Sequence, residues 1–138
     1  MKRTILLLSV LVLGIGFASG QEMPYRVVFD LTSRDSLDQK AVMRWVGEIT
    51  AAHPDAELEV VMYGKGFELV MPEKSTKMDE VRGALKNPHV SFKVCQVALK
   101  NNMVDKSQLA TGVQTVPDGI YEIITKQHAG WGYVKVGH

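Results

Sequence analysis

Apolar and polar positions alternate between two periods along this chain. Residues 25–31 (YRVVFDL), 58–63 (LEVVMY), 89–94 (HVSFKV), 113–116 (VQTV) and 131–136 (WGYVKV) are short runs rich in β-branched and aromatic side chains, and they predict strands. Between them the spacing becomes helical. Leu37, Ala41, Val42, Trp45, Val46, Ile49 and Ala52 share one face, with Lys40, Arg44 and Glu48 opposite, so a first helix is expected to end near His53-Pro54. Its start carries Ser36-Leu37-Asp38-Gln39, the Ser-x-x-Gln form of a capping box. Residues 76–86 place Met78, Val81, Ala84 and Leu85 on one face of a short second helix that Asn87-Pro88 stops. After residue 95, Val97, Ala98 and Met103 fall on one side, with Leu99 beside them, and predict a third helix. Pro117 is expected at the first position of a fourth, with Ile120, Ile123 and Ile124 inward and Ala129-Gly130 at its end. Residues 67–71 are apolar but follow neither period, and 72–75 and 105–112 read as connectors.

Strands alternating with helices predict an α/β fold, a three-layer α/β/α domain around a mainly parallel sheet of about five strands. No repeat, low-complexity tract or linker divides residues 21–138, which read as one domain with one core. Ligands bind such sheets at the carboxyl ends of strands. Three segments would gather there: Gly64-Lys65-Gly66, the turn at Cys95, and Val116-Pro117-Asp118-Gly119.

The first twenty residues have a different character. Lys2 and Arg3 precede an apolar run over 5–17, and Ala18-Ser19-Gly20 supplies small residues before Gln21, the order of a secretory signal peptide. The run is short for a membrane span, so cleavage after Gly20 is expected in place of an anchor. The protein is therefore expected in the periplasm or secreted, without further membrane attachment. The chain's net charge of +1 falls to −1 without Lys2 and Arg3, and the charges are interspersed. No basic stripe speaks for nucleic acid.

Cys95 is the only cysteine, so no internal disulfide can form. It stands where a strand hands over to a helix, and free N–H groups at a helix start favour a thiolate, the nucleophilic form. The competing reading is a small buried hydrophobe. Lys93 is unexpected in a strand covered on both faces. It either reaches solvent at the strand end or, sharing a face with Cys95 about 7 Å away, helps it ionise. A Lys93→Met change would then raise the Cys95 pKa. With no second cysteine, a thiol–disulfide oxidoreductase is disfavoured and a single-sulfur carrier is favoured.

The segment Val94-Cys95-Gln96-Val97-Ala98-Leu99-Lys100-Asn101-Asn102-Met103 resembles the strand–cysteine–helix segment of the DsrE/DsrF-like family of sulfur-relay proteins. Gly64-Lys65-Gly66 is similar to the family's Gly-x-Gly loop after the second strand, Gly112 to Gly119 to its strand and Val-Pro-x-Gly turn, and Gly130 to Lys135 to its closing strand. The resemblance implies an α/β fold in trimers or hexamers, with Cys95 carrying a persulfide between a donor and an acceptor protein or small thiols. Tyr63, Gly64, Gly66, Lys93 and Pro117, from the segments expected to gather around the cysteine and the strand that leads to it, are the candidate binding residues. Two departures stand out: relay members are cytoplasmic, and Tyr63 stands where more closely similar members often have a histidine before the loop.

No cofactor or metal is expected. His53, His89, His128 and His138 lack metal-site spacing, and Gly64-Lys65-Gly66 is too short for a phosphate loop. Asp30 has no carboxylate partner at fixed spacing and reads as structural. The alternative to a sulfur carrier is an oligomeric module that binds a small ligand or a protein, with Cys95 merely packed.

Overall fold

The computed structural model describes residues 22–137. The expected signal peptide, residues 1–20, and the Gly20–Gln21 junction lie outside them. Five strands form one all-parallel sheet: β1 (Arg26–Leu31), β2 (Glu57–Met62), β3 (Val90–Cys95), β4 (Gln114–Val116) and β5 (Gly132–Val136), in the order β4-β3-β2-β1-β5. The helices are α1 (Ser36–Ala52), α2 (Met78–Ala84), α3 (Gln96–Asn101) and α4 (Gly119–His128). This is the α/β architecture read from the alternating periods. The untyped apolar run at 67–71 falls mostly in a 3-10 turn, Gly66–Val70.

Strand order decides which face each helix covers. From β1 to β4 the chain steps in one direction, and right-handed crossovers keep α1, α2 and α3 on one face. From β4 it returns to the far edge as β5, so α4 crosses the opposite face. The first face is dry. Val42, Met43 and Val46 of α1 and Met78 and Val81 of α2 pack with Phe29, Leu31, Leu58, Val60, Met62, Phe92 and Val94 of the strands. Among the described residues, the buried apolar set beneath α4 is Val28, Val61 and Ile123. Alternation puts Asp30, Glu59, Ser91, Lys93, Tyr133 and Lys135 on this second face, which makes it polar.

Several local expectations are corrected. Asp35, not Ser36, caps α1, its carboxylate accepting from the Leu37 N–H at 2.7 Å. Asp118 caps α4, accepting from Ile120 N–H at 2.8 Å and Tyr121 N–H at 3.3 Å, which leaves Pro117 ahead of the cap. In both cases the carboxylate takes the orphan N–H groups of the first turn. Leu37, Val97, Ile120 and Ile124 are more than half exposed. α4 crosses a polar face and needs only the stripe centred on Ile123. Met103 follows the end of α3 in a left-handed conformation, φ 53°, and so leaves the helical phase and points outward.

Candidate functional site

The carboxyl ends of β3 and β4 are adjacent, Cys95 pairing with Val116. From β3 the chain leaves into α3 on one face; from β4 it leaves into α4 on the other. This is a topological switch point, where open parallel sheets form crevices. A cavity of about 310 Å³ lies there between α3 and the start of α4, lined by Tyr63, Gly64, Cys95, Ala98, Asn102 and Asp118, with Val97 and Ile120 at its exposed rim. All three segments expected to converge do so. Cys95 is the N-cap residue of α3 and is itself only 5% exposed.

Gly119 belongs to a segment expected at the site, but it is not among the expected binding residues. A Cβ there would stand 3.0 Å from Cys95 Cβ, 3.4 Å from Val61 Cγ1 and 3.5 Å from Tyr63 Cβ. The first turn of α4 therefore lies directly on the cysteine. Gly64 adopts φ +58°, the left-handed turn that glycine permits, and its carbonyl accepts from Asn102 Nδ2 at 3.4 Å. Gly66 serves packing instead: a Cβ there would overlap the Leu31 carbonyl, and the residue lies outside the cavity lining. Pro117 is exposed and also lies outside that lining.

Tyr63 joins the cavity to a second polar group. Its hydroxyl donates to Asp30 Oδ2 at 3.3 Å, and the Tyr133 hydroxyl donates to the same oxygen at 2.6 Å. The Lys135 ammonium pairs with Asp30 at 3.3 Å and donates to Thr32 Oγ1 at 3.1 Å. Burial, then the charge of Asp30 and the hydrogen bond to it, push Tyr63 up to about 12. The hydrogen bond to Asp30, then burial, push Tyr133 up to about 12 as well. Both phenols therefore stay protonated at neutral pH, as donors to a carboxylate that is only 3% exposed. Asp30 is thus structural, and its effect is to hold the ring that walls Cys95.

Lys93 has partners other than Cys95. Its ammonium meets Glu122 at 2.7 Å and Glu59 at 3.0 Å, and Lys126 meets Glu59 at 2.9 Å. Burial lowers the Lys93 pKa, but hydrogen bonds to Glu122 and Glu59 outweigh it and leave the pKa raised. Burial raises Glu122, but the hydrogen bond from Lys93 and the charges of Lys93 and Lys126 hold it below the usual carboxylate range. Neither role expected for Lys93, snorkelling or ionising Cys95, describes this ion cluster, which ties α4 to the sheet. Among the described residues, no three His, Cys, Asp or Glu side chains gather as a metal site requires. No helix there is long and apolar enough to cross a membrane.

No family model matches the chain, and no curated protein matches it. Solved structures do. The chain is similar to MTH1491 from Methanobacterium thermoautotrophicum, a protein of unknown function, at 27% identity and a TM-score of 0.75, covering 80% of this chain and 98% of that one. It is also similar to BT1422 from Bacteroides thetaiotaomicron, a conserved protein of unknown function, at 13% identity and a TM-score of 0.68, covering 81% of this chain and 95% of that one. The second likeness is one of fold alone.

Proposed function

We propose that this protein is an exported DsrE/DsrF-like sulfur carrier in which Cys95 accepts, holds and passes on one sulfur atom. The observation that supports this most is the position of the chain's one cysteine, at the switch point and in the wall of a cavity. In the first step the Cys95 thiolate attacks the outer sulfur of a donor persulfide, R–S–SH. A sulfur–sulfur bond forms at Cys95, the donor's breaks, and R–S⁻ leaves with the bonding pair. Discharge to an acceptor thiolate repeats this in reverse, so no oxidant is consumed. The periplasmic or secreted location rests on residues 1–20. Homo-oligomerisation, as the trimer or hexamer that the resemblance implies, draws support from Tyr121 and Ile124, apolar side chains left exposed along α4.

The second reading is a binding module with a packed cysteine, and the burial of Cys95 within the main apolar cluster favours it. Intact-mass spectrometry after exposure to polysulfide or a persulfide donor separates the two. The carrier gains one sulfur atom on Cys95, and Cys95→Ser folds but gains none. A folded, reduced wild type that gains none leaves the binding module.

A further inference from the structure

The wall of the cysteine cavity restricts what can bring sulfur to Cys95. Among the described residues that line it there is no lysine, arginine or histidine, and the one charged side chain is an acid, Asp118. Asp118 Oδ1 already accepts from the Ile120 and Tyr121 N–H groups, so the anion-attracting start of α4 is occupied. α3 also starts at the cavity, but its six residues give few peptide dipoles to sum. The Asn102 side-chain amide donates to the carbonyls of Ala98 at 2.8 Å and Gly64 at 3.4 Å. Tyr63, pushed up to about 12, adds no charge at neutral pH.

The nearby cations do not supply what the wall lacks. Lys93 is held by Glu59 and Glu122, and Lys135 by Asp30. Lys65 and Lys100 are exposed and lie outside the lining, where salt screens them. The wall offers apolar contact instead, from Val97 and Ile120 at the rim and from Ala98 and the Tyr63 ring further in. An anion carried down to Cys95, itself 5% exposed, would lose water and gain no cation, which is unfavourable. An uncharged body would lose water and gain apolar contact, which is favourable. The volume of about 310 Å³ is at the small end for ligand sites.

We propose that the site draws its sulfur from a small persulfide, R–S–SH, whose R group is uncharged and partly apolar, and that it discriminates against donors with an anionic R group. This rests on the reading of Cys95 as a sulfur carrier. The reacting atoms are the same for both kinds of donor. The thiolate bonds to the outer sulfur, which keeps its proton, the donor's sulfur–sulfur bond breaks, and R–S⁻ leaves with the bonding pair. Only the charge on R separates them.

The test applies two matched pairs of reagents to the full mature protein. The persulfides of N-acetylcysteine methyl ester and of N-acetylcysteine differ by one carboxylate, and intact mass follows the sulfur atom gained. Iodoacetamide and iodoacetate differ in the same way and probe the cavity without sulfur transfer. In each pair the uncharged reagent should be favoured on native Cys95 at least about fivefold more than on the urea-unfolded protein. Asp118→Asn should narrow both ratios, since asparagine still caps α4. The expected alkylation preference with no sulfur adduct from either persulfide would overturn the carrier reading and leave the selectivity of the cavity. Sulfur adducts from both persulfides, with the same ratios in native and unfolded protein, would overturn the selectivity and leave the carrier. Native Cys95 that reacts with neither pair overturns both.

Discussion

Gly119 and Cys95 are in contact through a missing side chain: a Cβ on Gly119 would lie 3.0 Å from Cys95 Cβ. Real Cβ atoms rarely come so close, and Val61 and Tyr63 close in from the other sides. Gly119→Val therefore has to push α4 away from the sheet or the cysteine out of its place. Overpacking of this kind costs about 1–3 kcal/mol. Urea unfolding should register that loss, and Cys95 alkylation should change rate in the same variant. Wild-type stability in the Gly119→Val protein would mean that the first turn of α4 yields freely.

Asp30 predicts a spectroscopic signature. Its removal in Asp30→Asn should bring the Tyr133 titration back towards 10, because the hydrogen bond to Asp30 is the main cause of that shift. Tyr63 should return less far, since burial contributes most there. The sign for stability follows from raised folded-state values. The contribution of both phenols is complete below pH 10 and is lost as pH rises from 10 to about 12. Ultraviolet titration of wild type, Asp30→Asn and Tyr133→Phe checks this. Identical alkaline curves in wild type and Asp30→Asn would remove Asp30 from the account.

Most of the fold can be read from period alone, because β-branched strands and helical stripes pack against one dry face. Phe29, Val60 and Phe92 announce themselves as core. What stays illegible lies on the α4 face. Lys93 looks anomalous in a strand because its partners, Glu59 and Glu122, lie 34 positions before it and 29 after it in the sequence. No short-range spacing couples them. Ile120 and Ile124 follow a helical stripe, but the polar sheet beneath leaves a place only for Ile123. The cysteine site is legible as a strand–cysteine–helix junction. Gly119 is not, since a glycine required by close approach looks in sequence like any turn glycine. Its signals are its place in the Val116-Pro117-Asp118-Gly119 turn and its position directly after the Asp118 cap.

The Lys93–Glu122 pair sets a pH window. Glu122 has a folded-state pKa below 4.5, so its contribution is present above that value and is lost as pH falls through the folded pKa. Glu122→Gln should cost about 1.5–3 kcal/mol at pH 7, the scale of a hydrogen bond to a charged group. The difference from wild type should shrink in acid. Lys93 keeps Glu59 in that variant, so the Lys93→Met and Glu122→Gln losses should not add. Strict additivity in urea unfolding at pH 7 would show the pair to be uncoupled.

Access, and not Lys93, should govern the reactivity of Cys95. The cysteine is 5% exposed, so a reagent must come through the cavity mouth, where Val97 and Ile120 form the exposed rim. Lys93 is engaged by Glu59 on the same sheet face and by Glu122 of α4, which pair its ammonium there. Ile120→Ala removes rim bulk at a position 55% exposed, where truncation leaves little buried cavity and stability should fall by less than about 1 kcal/mol. Alkylation by iodoacetamide should then accelerate several-fold at fixed pH, and more for a bulky maleimide, since the larger reagent is the more restricted by the rim. Lys93→Met should leave the pH profile of alkylation where it is while lowering stability. The two variants pull the explanations apart. A profile that moves in Lys93→Met, with an unchanged rate in Ile120→Ala, would return control of the thiol to electrostatics and take it away from the rim.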